Sequence, residues 1–219
     1  MKLIHMSDIH GDFKTFDRAL EIVKKSDADV LAITGDLAGK YLPNPKNEII
    51  KIVSNQYKKF KKRFNDLDQK VFLVPGNWDC NFIEDYLSEE NIHKKGIKKI
   101  GKFGFAGYGG VNLFSIGMTN DMKISFKHDE VCSYLSKYRD ASVVLTHVYS
   151  PDFNNWGRSL ILSGHTHNQD VYEDKEQANL ISIANNLANY DSRSGTFLEF
   201  EIGEDFIANL LNVYDLQKV

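Results

Sequence analysis

Residues 70–80 read "KVFLVPGNWDC". The run 70–74 is apolar and rich in β-formers, so it reads as a buried strand. Pro75 and Gly76 break it. Beyond the break an Asn and an Asp stand on either side of a Trp, at a strand end, where the ligand sites of open α/β sheets collect. The same layout appears twice upstream. "DVLAIT" (29–34) is a nearly continuous apolar run closing on Gly35-Asp36, as a strand buried on both faces would be. "KLIHMS" (2–7) is short, β-prone and opens onto Asp8 and His10.

Helical spacing fills the gaps. Phe13, Phe16, Leu20 and Val23 share one face over 13–24. Ile49, Ile50, Val53, Tyr57, Phe60, Phe64 and Leu67 do so over 46–67, with Pro43 and Pro45 marking a loop and helix start. Phe82, Tyr86 and Leu87 suggest a short helix after the third strand. Strand and helix thus alternate through the first 90 residues, which argues a parallel sheet with crossover helices.

The second half changes character. Residues 96–110 are Gly-rich and read as short strands with turns, and 128–138 as one helix carrying Val131, Tyr134, Leu135 and Tyr138 in phase. "SVVLT" (142–146) and "SLILSG" (159–164) return as apolar strands. After 178, "NLISIA", "GTFLEFEI" and "DFIANLLNV" alternate like antiparallel strands, the last two meeting at a "GEDF" turn. The expectation is an α/β sandwich: one mixed sheet and one more antiparallel sheet, face to face, with helices outside.

The bulk numbers fit a single domain over 1–219. The chain is 42% hydrophobic, enough for one sizeable core. A net charge of −3 and a pI near 6.2 do not suggest a nucleic-acid binder. Cys80 and Cys132 make no disulfide framework, so a cytoplasmic location is expected. No run is long and apolar enough for a membrane span, and "MKLIHMSDIHG" has no signal-peptide core. Lys58, Lys59, Lys61, Lys62 and Arg63 read as the solvated face of the long helix, a phosphate-rich partner being the alternative.

Chemistry collects after the strands. Asp8 and His10, Asp36, Asn77 and Asp79, His147, and His165 and His167 each follow an apolar run. A single Asp or His there is usually a turn former or a satisfied hydrogen-bonder. Five strand ends delivering metal-capable side chains to one rim are a different matter, and four of the seven histidines belong to the set. His5, His93 and His128 fall outside it and read as structural. Carboxylate, imidazole and amide oxygen suit Mn, Fe, Zn or Co better than Ca. Asp36, alone on its loop, fits a position between two ions.

Asp8-Ile-His10, Gly35-Asp36, Gly76-Asn77-x-Asp79, His147 and Gly164-His165-Thr166-His167 resemble, in order, the five blocks of the calcineurin-like metallophosphoesterases. Among these, the sequence looks closest to predicted phosphoesterases related to the bacterial cyclic-AMP phosphodiesterase. The resemblance implies a four-layer sandwich of two mixed β-sheets with helices outside. It implies a first metal on Asp8, His10 and His167, a second on Asn77, His147 and His165, and Asp36 bridging. It implies two divalent ions, among which Mn²⁺, Fe²⁺, Zn²⁺ and Ni²⁺ overlap in ligand preference. A hydroxide between the ions would attack a small phosphate ester, with Asp8, Asp36 and Asn77 at the centre of catalysis.

One position departs from the pattern. Many members read GNH[D/E] at the third block, and their His helps the leaving group; here Trp78 stands there. Indole does not titrate near neutral pH. Trp78 could instead wall a nucleobase or aryl group, which favours a phosphodiesterase; His128 or Asp79 could supply the proton; or catalysis is lost and the chain is a binding scaffold. The intact ligand set argues against the scaffold. Further candidates are Asn112 in a possible lid over 109–122, Lys40 and Tyr41 near substrate phosphate, and Asp12 orienting a ligand. Cys80 reads as a small buried apolar residue.

Overall fold

The computed structural model describes all residues except 40–43, 113–121, 123, 151–158, 175–178, 184–186, 188–194, 206 and 217–219. Lys40 and Tyr41 therefore lie outside the described residues. So do most of 109–122 and the side chain of Asn112, whose backbone lies in a two-residue strand.

Three strands and their helices open the chain. β1 (Lys2–Met6), β2 (Val30–Thr34) and β3 (Lys70–Val74) are parallel neighbours, with β1 registered Leu3 to Val30 and β2 registered Val30 to Lys70. The crossovers are α1 (Phe13–Lys25) and α2 (Lys46–Asn65). A 3₁₀ turn (Asn81–Ile83) runs into α3 (Glu84–Leu87). β4 (Lys98–Ile100) and β5 (Phe103–Tyr108) are followed by β6 (Val111–Asn112), β7 (Ser125–Phe126) and α4 (His128–Ser136). The chain continues through β8 (Val143–Thr146), β9 (Leu160–Ser163), β10 (Asp170–Asp174), β11 (Asn179–Ile183), β12 (Thr196–Ile202) and β13 (Ala208–Asp215).

Both main sheets are mixed. The first runs β13-β12-β1-β2-β3 and the second β10-β11-β9-β8-β5-β4. This corrects the expectation of a more antiparallel second sheet. The β12–β13 hairpin joins the first sheet beside β1, while β11 lies parallel to β9. β10, which the sequence pattern did not reveal, adds an antiparallel edge, as β4 does on the other side.

The layers follow from the side chains. Leu3, Ala32 and Phe72 from the first sheet meet Phe105, Val143 and Leu162 from the second in one dry core. On the outer face of the first sheet, α1 and α2 bury Phe16, Val53, Tyr57 and Phe60 with Ile4 and Ile33. On the outer face of the second, α4 buries Val131 and Leu135 with Ala106 and Val144. Each large apolar side chain among these contributes roughly 1.5–3 kcal/mol by leaving water. Ile50, placed by its spacing on the buried face of α2, is exposed instead. The basic face of α2 is partly used within the molecule: Lys61 pairs with Glu89 and Glu90, and Arg63 with Asp17. No helix among the described residues is long and apolar enough to cross a membrane.

Candidate metal centre

In a parallel sheet, successive strands end on one rim. β1, β2 and β3 of the first sheet therefore open onto Asp8, Asp36 and Asn77 side by side, and β8 and β9 of the second onto His147 and His165. Backbone bonds stitch the loops together. Asp8 N–H donates to Gly35 O at 3.1 Å, His10 N–H to Asp36 O at 2.8 Å, and Gly164 N–H to His147 O at 3.0 Å. Other bonds join the two sheets across the rim, among them His165 N–H, which donates to Asp8 Oδ2 at 3.0 Å.

The glycines of the blocks exist for close approach. A Cβ on Gly76 would overlap the Asp36 carboxylate and backbone nitrogen, and one on Gly164 would overlap Ser7 Oγ. The candidate ligands also carry unusual backbone. Asp8, His10, Asp36, His165 and His167 all have positive φ, and among the described non-glycine residues only Lys94 shares that trait. Left-handed backbone costs energy and gathers where function demands a geometry.

All seven expected ligand residues come together. Asp8, His10 and His167 each bring one ligand atom within 4.8 Å of the others, and so do Asp8, Asp36 and His147. His10 Nε2 and His167 Nε2 face each other at 3.4 Å. Asn77 Oδ1 lies 2.9 Å from both His147 Nε2 and His165 Nδ1. Asp36 stands between the two groups, 3.7 Å from His10 Nε2 and 3.5 Å from His147 Nε2.

The electrostatics fit a cation. Burial would raise the Asp8 carboxyl, but the His167 ring, the charges of His147 and His10 and the Ser7 hydroxyl bring it down to about 2. Asp36 is pushed well above the carboxylate range by burial and by the charges of Asp8 and Asp79. Two buried carboxylates this close resist joint ionisation unless positive charge lies between them. Asp8 Oδ1 is buried and accepts no well-formed hydrogen bond among the described residues, although His167 Nε2 is 3.3 Å away. His147 Nδ1 lies 2.7 Å from Thr34 O, which can only accept, so a proton sits on Nδ1 and Nε2 faces inward. Burial lowers His165, which favours its neutral, ligating form, whereas His167 is raised by Asp8. The donors are oxygen and nitrogen, with no thiolate, as a hard or borderline divalent ion prefers.

The other candidates fall elsewhere. Trp78 is half-buried: its backbone N–H donates to Asp36 Oδ1 at 2.7 Å and its ring meets the His10 ring edge-on at 5.7 Å. Asp79 is fully buried behind Asp36, where four donors engage it, so it is not a proton donor to a substrate. Asp12 caps α1 by accepting from Thr15 N–H. His128 begins α4, its Nε2 3.5 Å from Cys132 Sγ. His5 sits between Ser182 and Thr34 hydroxyls, driven by burial to about 3, and His93 accepts from Gly109 N–H, driven by burial to about 4. Cys80 is buried and its thiol is pushed up to about 12, as suits an inert core residue. Tyr57, read from its spacing as plain core, reaches Asp79 through its hydroxyl at 3.2 Å. Only the polar tip of its ring hints at this.

Two mixed sheets face to face, with Asp, Asn and His gathered at their strand ends, define the metallophosphoesterase type of α/β sandwich. Residues 1–169 match the model of the calcineurin-like phosphoesterase family, and the chain belongs to that family. Phosphodiesterase YfcE of Escherichia coli strain K12 is 35% identical over 79 residues, which cover 36% of this chain and 40% of that relative's length. The solved structure of TT1561 of Thermus thermophilus superposes with a TM-score of 0.67 at 14% identity, covering 96% of this chain and 98% of that one. A novel archaeal phosphodiesterase does so with a TM-score of 0.53 at 17% identity, covering 98% and 100%. At these identities the structural likeness concerns the fold.

Proposed function

We propose that this chain, as a single domain over 1–219, is a metal-dependent phosphoesterase that hydrolyses a small phosphodiester. The observation that carries this reading is Asp8 Oδ1, buried among inward-facing imidazole nitrogens and accepting no well-formed hydrogen bond among the described residues. Such an atom costs about 1–3 kcal/mol unless something binds it.

Asp8, His10 and His167 would hold one divalent ion; Asn77, His147 and His165 a second; Asp36 would reach both. Manganese, iron, zinc and nickel all suit this set. Bound there, such ions supply Lewis acidity, which generates a nucleophile from water at neutral pH and neutralises charge on the phosphoryl oxygens. Thr34 O keeps the His147 proton on Nδ1. The Trp78 backbone N–H holds Asp36 Oδ1 in place. The Trp78 side chain offers the substrate an aromatic wall and no titrating proton, which selects esters whose alcohol departs readily. A diester carries less negative charge than a monoester and presents a second group for that wall. Two cysteines that form no disulfide suit a cytoplasmic setting.

The test is hydrolysis of bis(p-nitrophenyl) phosphate by metal-stripped protein, with Mn²⁺, Ni²⁺, Zn²⁺ or Mg²⁺ added singly. Metal-dependent turnover that is lost in Asp36→Ala is expected. Equal or faster turnover of p-nitrophenyl phosphate would count against the diesterase. Metal binding without any turnover would favour a binding protein on the same fold.

A further inference from the structure

The loops after β2 and β3 must present Asp36 and Asn77 at a fixed spacing, yet both have left the sheet and its hydrogen bonds. The Asp79 carboxylate takes over that task. Its Oδ2 accepts from Leu37 N–H at 3.2 Å and Gly76 N–H at 2.9 Å. Its Oδ1 accepts from Ala38 N–H at 3.0 Å and the Tyr57 hydroxyl at 3.2 Å. Two of these donors lie on the Asp36 loop and one on the Asn77 loop. In return, Asp36 Oδ1 accepts from Trp78 N–H on the Asn77 loop. The two loops are cross-braced in both directions.

Tyr57 anchors the brace to α2. Its hydroxyl donates to Asp79 and accepts from Cys80 N–H at 2.8 Å, so the helix, the carboxylate and the start of the next turn share one oxygen. Tyr57 and Asp79 are both fully buried, and all four donors to Asp79 are neutral. Burying a carboxylate against neutral donors is costly, and burial raises Asp79 while the loop N–H groups, and after them the His147 charge, pull it back. Simple core packing does not require such a group. Two acceptor oxygens with about four lone-pair positions are what this junction uses, and only a carboxylate offers them.

We infer that Asp79 and Tyr57 are positioning residues that set the separation of Asp36 from Asn77 and so tune metal affinity. The inference rests on the metal reading above. The hydrogen bonds described for the two carboxylate oxygens and the hydroxyl run to loop backbone and to each other. An amide at 79 would turn one oxygen into a donor, leaving at least one backbone N–H facing another donor. Phenylalanine at 57 would leave Cys80 N–H without its partner and remove one donor from Asp79.

The experiment is calorimetric titration of metal-free protein with Mn²⁺, with low-temperature electron paramagnetic resonance to separate coupled ion pairs from isolated ions. Urea unfolding in chelator runs alongside. Wild type is expected to bind two Mn²⁺ as a coupled pair. Asp79→Asn is expected to weaken binding about tenfold to a hundredfold at one site, as supporting-residue mutations do. Its spectrum should shift towards isolated ions. Tyr57→Phe should move the same way by a smaller factor, and it decides the matter if Asp79→Asn does not fold. Two Mn²⁺ in wild type and both variants at equal affinity, with only the urea midpoint lowered, would overturn this inference alone. A wild type that binds no Mn²⁺ would overturn the metal reading and this inference with it.

Discussion

Asp36→Asn should stabilise the metal-free protein and destabilise the metal-loaded one. In the metal-free fold Asp36 is buried beside Asp8 and Asp79, and its carboxyl is pushed well above the usual range. The folded chain therefore holds a proton that the unfolded chain releases near pH 4. Between that pH and the folded value, the native state binds more protons than the unfolded state. Its stability then falls as pH rises, by up to about 1.4 kcal/mol per pH unit for one group. Asparagine copies the neutral form, keeps an oxygen for Trp78 N–H, and removes that slope. With Mn²⁺ at 100 times its dissociation constant, by contrast, one site adds about 2.7 kcal/mol to the wild type. The variant forgoes much of that gain. Urea unfolding at pH 5, 6 and 7, in chelator and in Mn²⁺, reads both effects. A variant less stable than wild type in chelator at pH 7, or a difference that shrinks as pH rises, is the contrary result.

Other residues give independent checks. Gly164→Ala places a Cβ over Ser7 Oγ and 2.5 Å from Asp8 Oδ2, so urea unfolding should show a loss of about 1–3 kcal/mol and titration a weaker affinity for Mn²⁺. His93 is held neutral down to about pH 4. The unfolded chain takes up that proton from about pH 6.5, so stability should fall as pH drops across this window, by about 3 kcal/mol in total. His93→Gln, measured by urea unfolding at each pH, should flatten that limb. Trp78→Ala should raise KM for bis(p-nitrophenyl) phosphate more than for methyl p-nitrophenyl phosphate, read by steady-state kinetics. Trp78→His should speed esters with poor leaving alcohols at least tenfold, since general-acid help is worth about 10²–10⁴.

The site is more legible in the sequence than the sheets that carry it. Asp8, Asp36, Asn77, His147 and His165 each follow an apolar run, and parallel strands place such positions on one rim whatever the loops do. Pairing partners are not written locally. "NLISI" alternates as a half-buried strand would, yet it pairs parallel to β9 on one side and antiparallel to β10 on the other. "DVYED" is too polar to stand out, because β10 is an edge. The β12–β13 hairpin returns to β1 across nearly the whole chain, which no short window reports. Asp79 reads as a proton donor because its position beside the site is plain in the sequence and its direction is not. Tyr57 reads as core because helical spacing reports where a ring points, not what its hydroxyl reaches.

Under the proposed function these seven side chains hold two divalent ions. Metal analysis of Mn²⁺-loaded, desalted protein tests it most directly. Two ions per chain are expected in wild type and at most one in Asn77→Ala. A folded wild type that retains none, or a variant that keeps both, would contradict it.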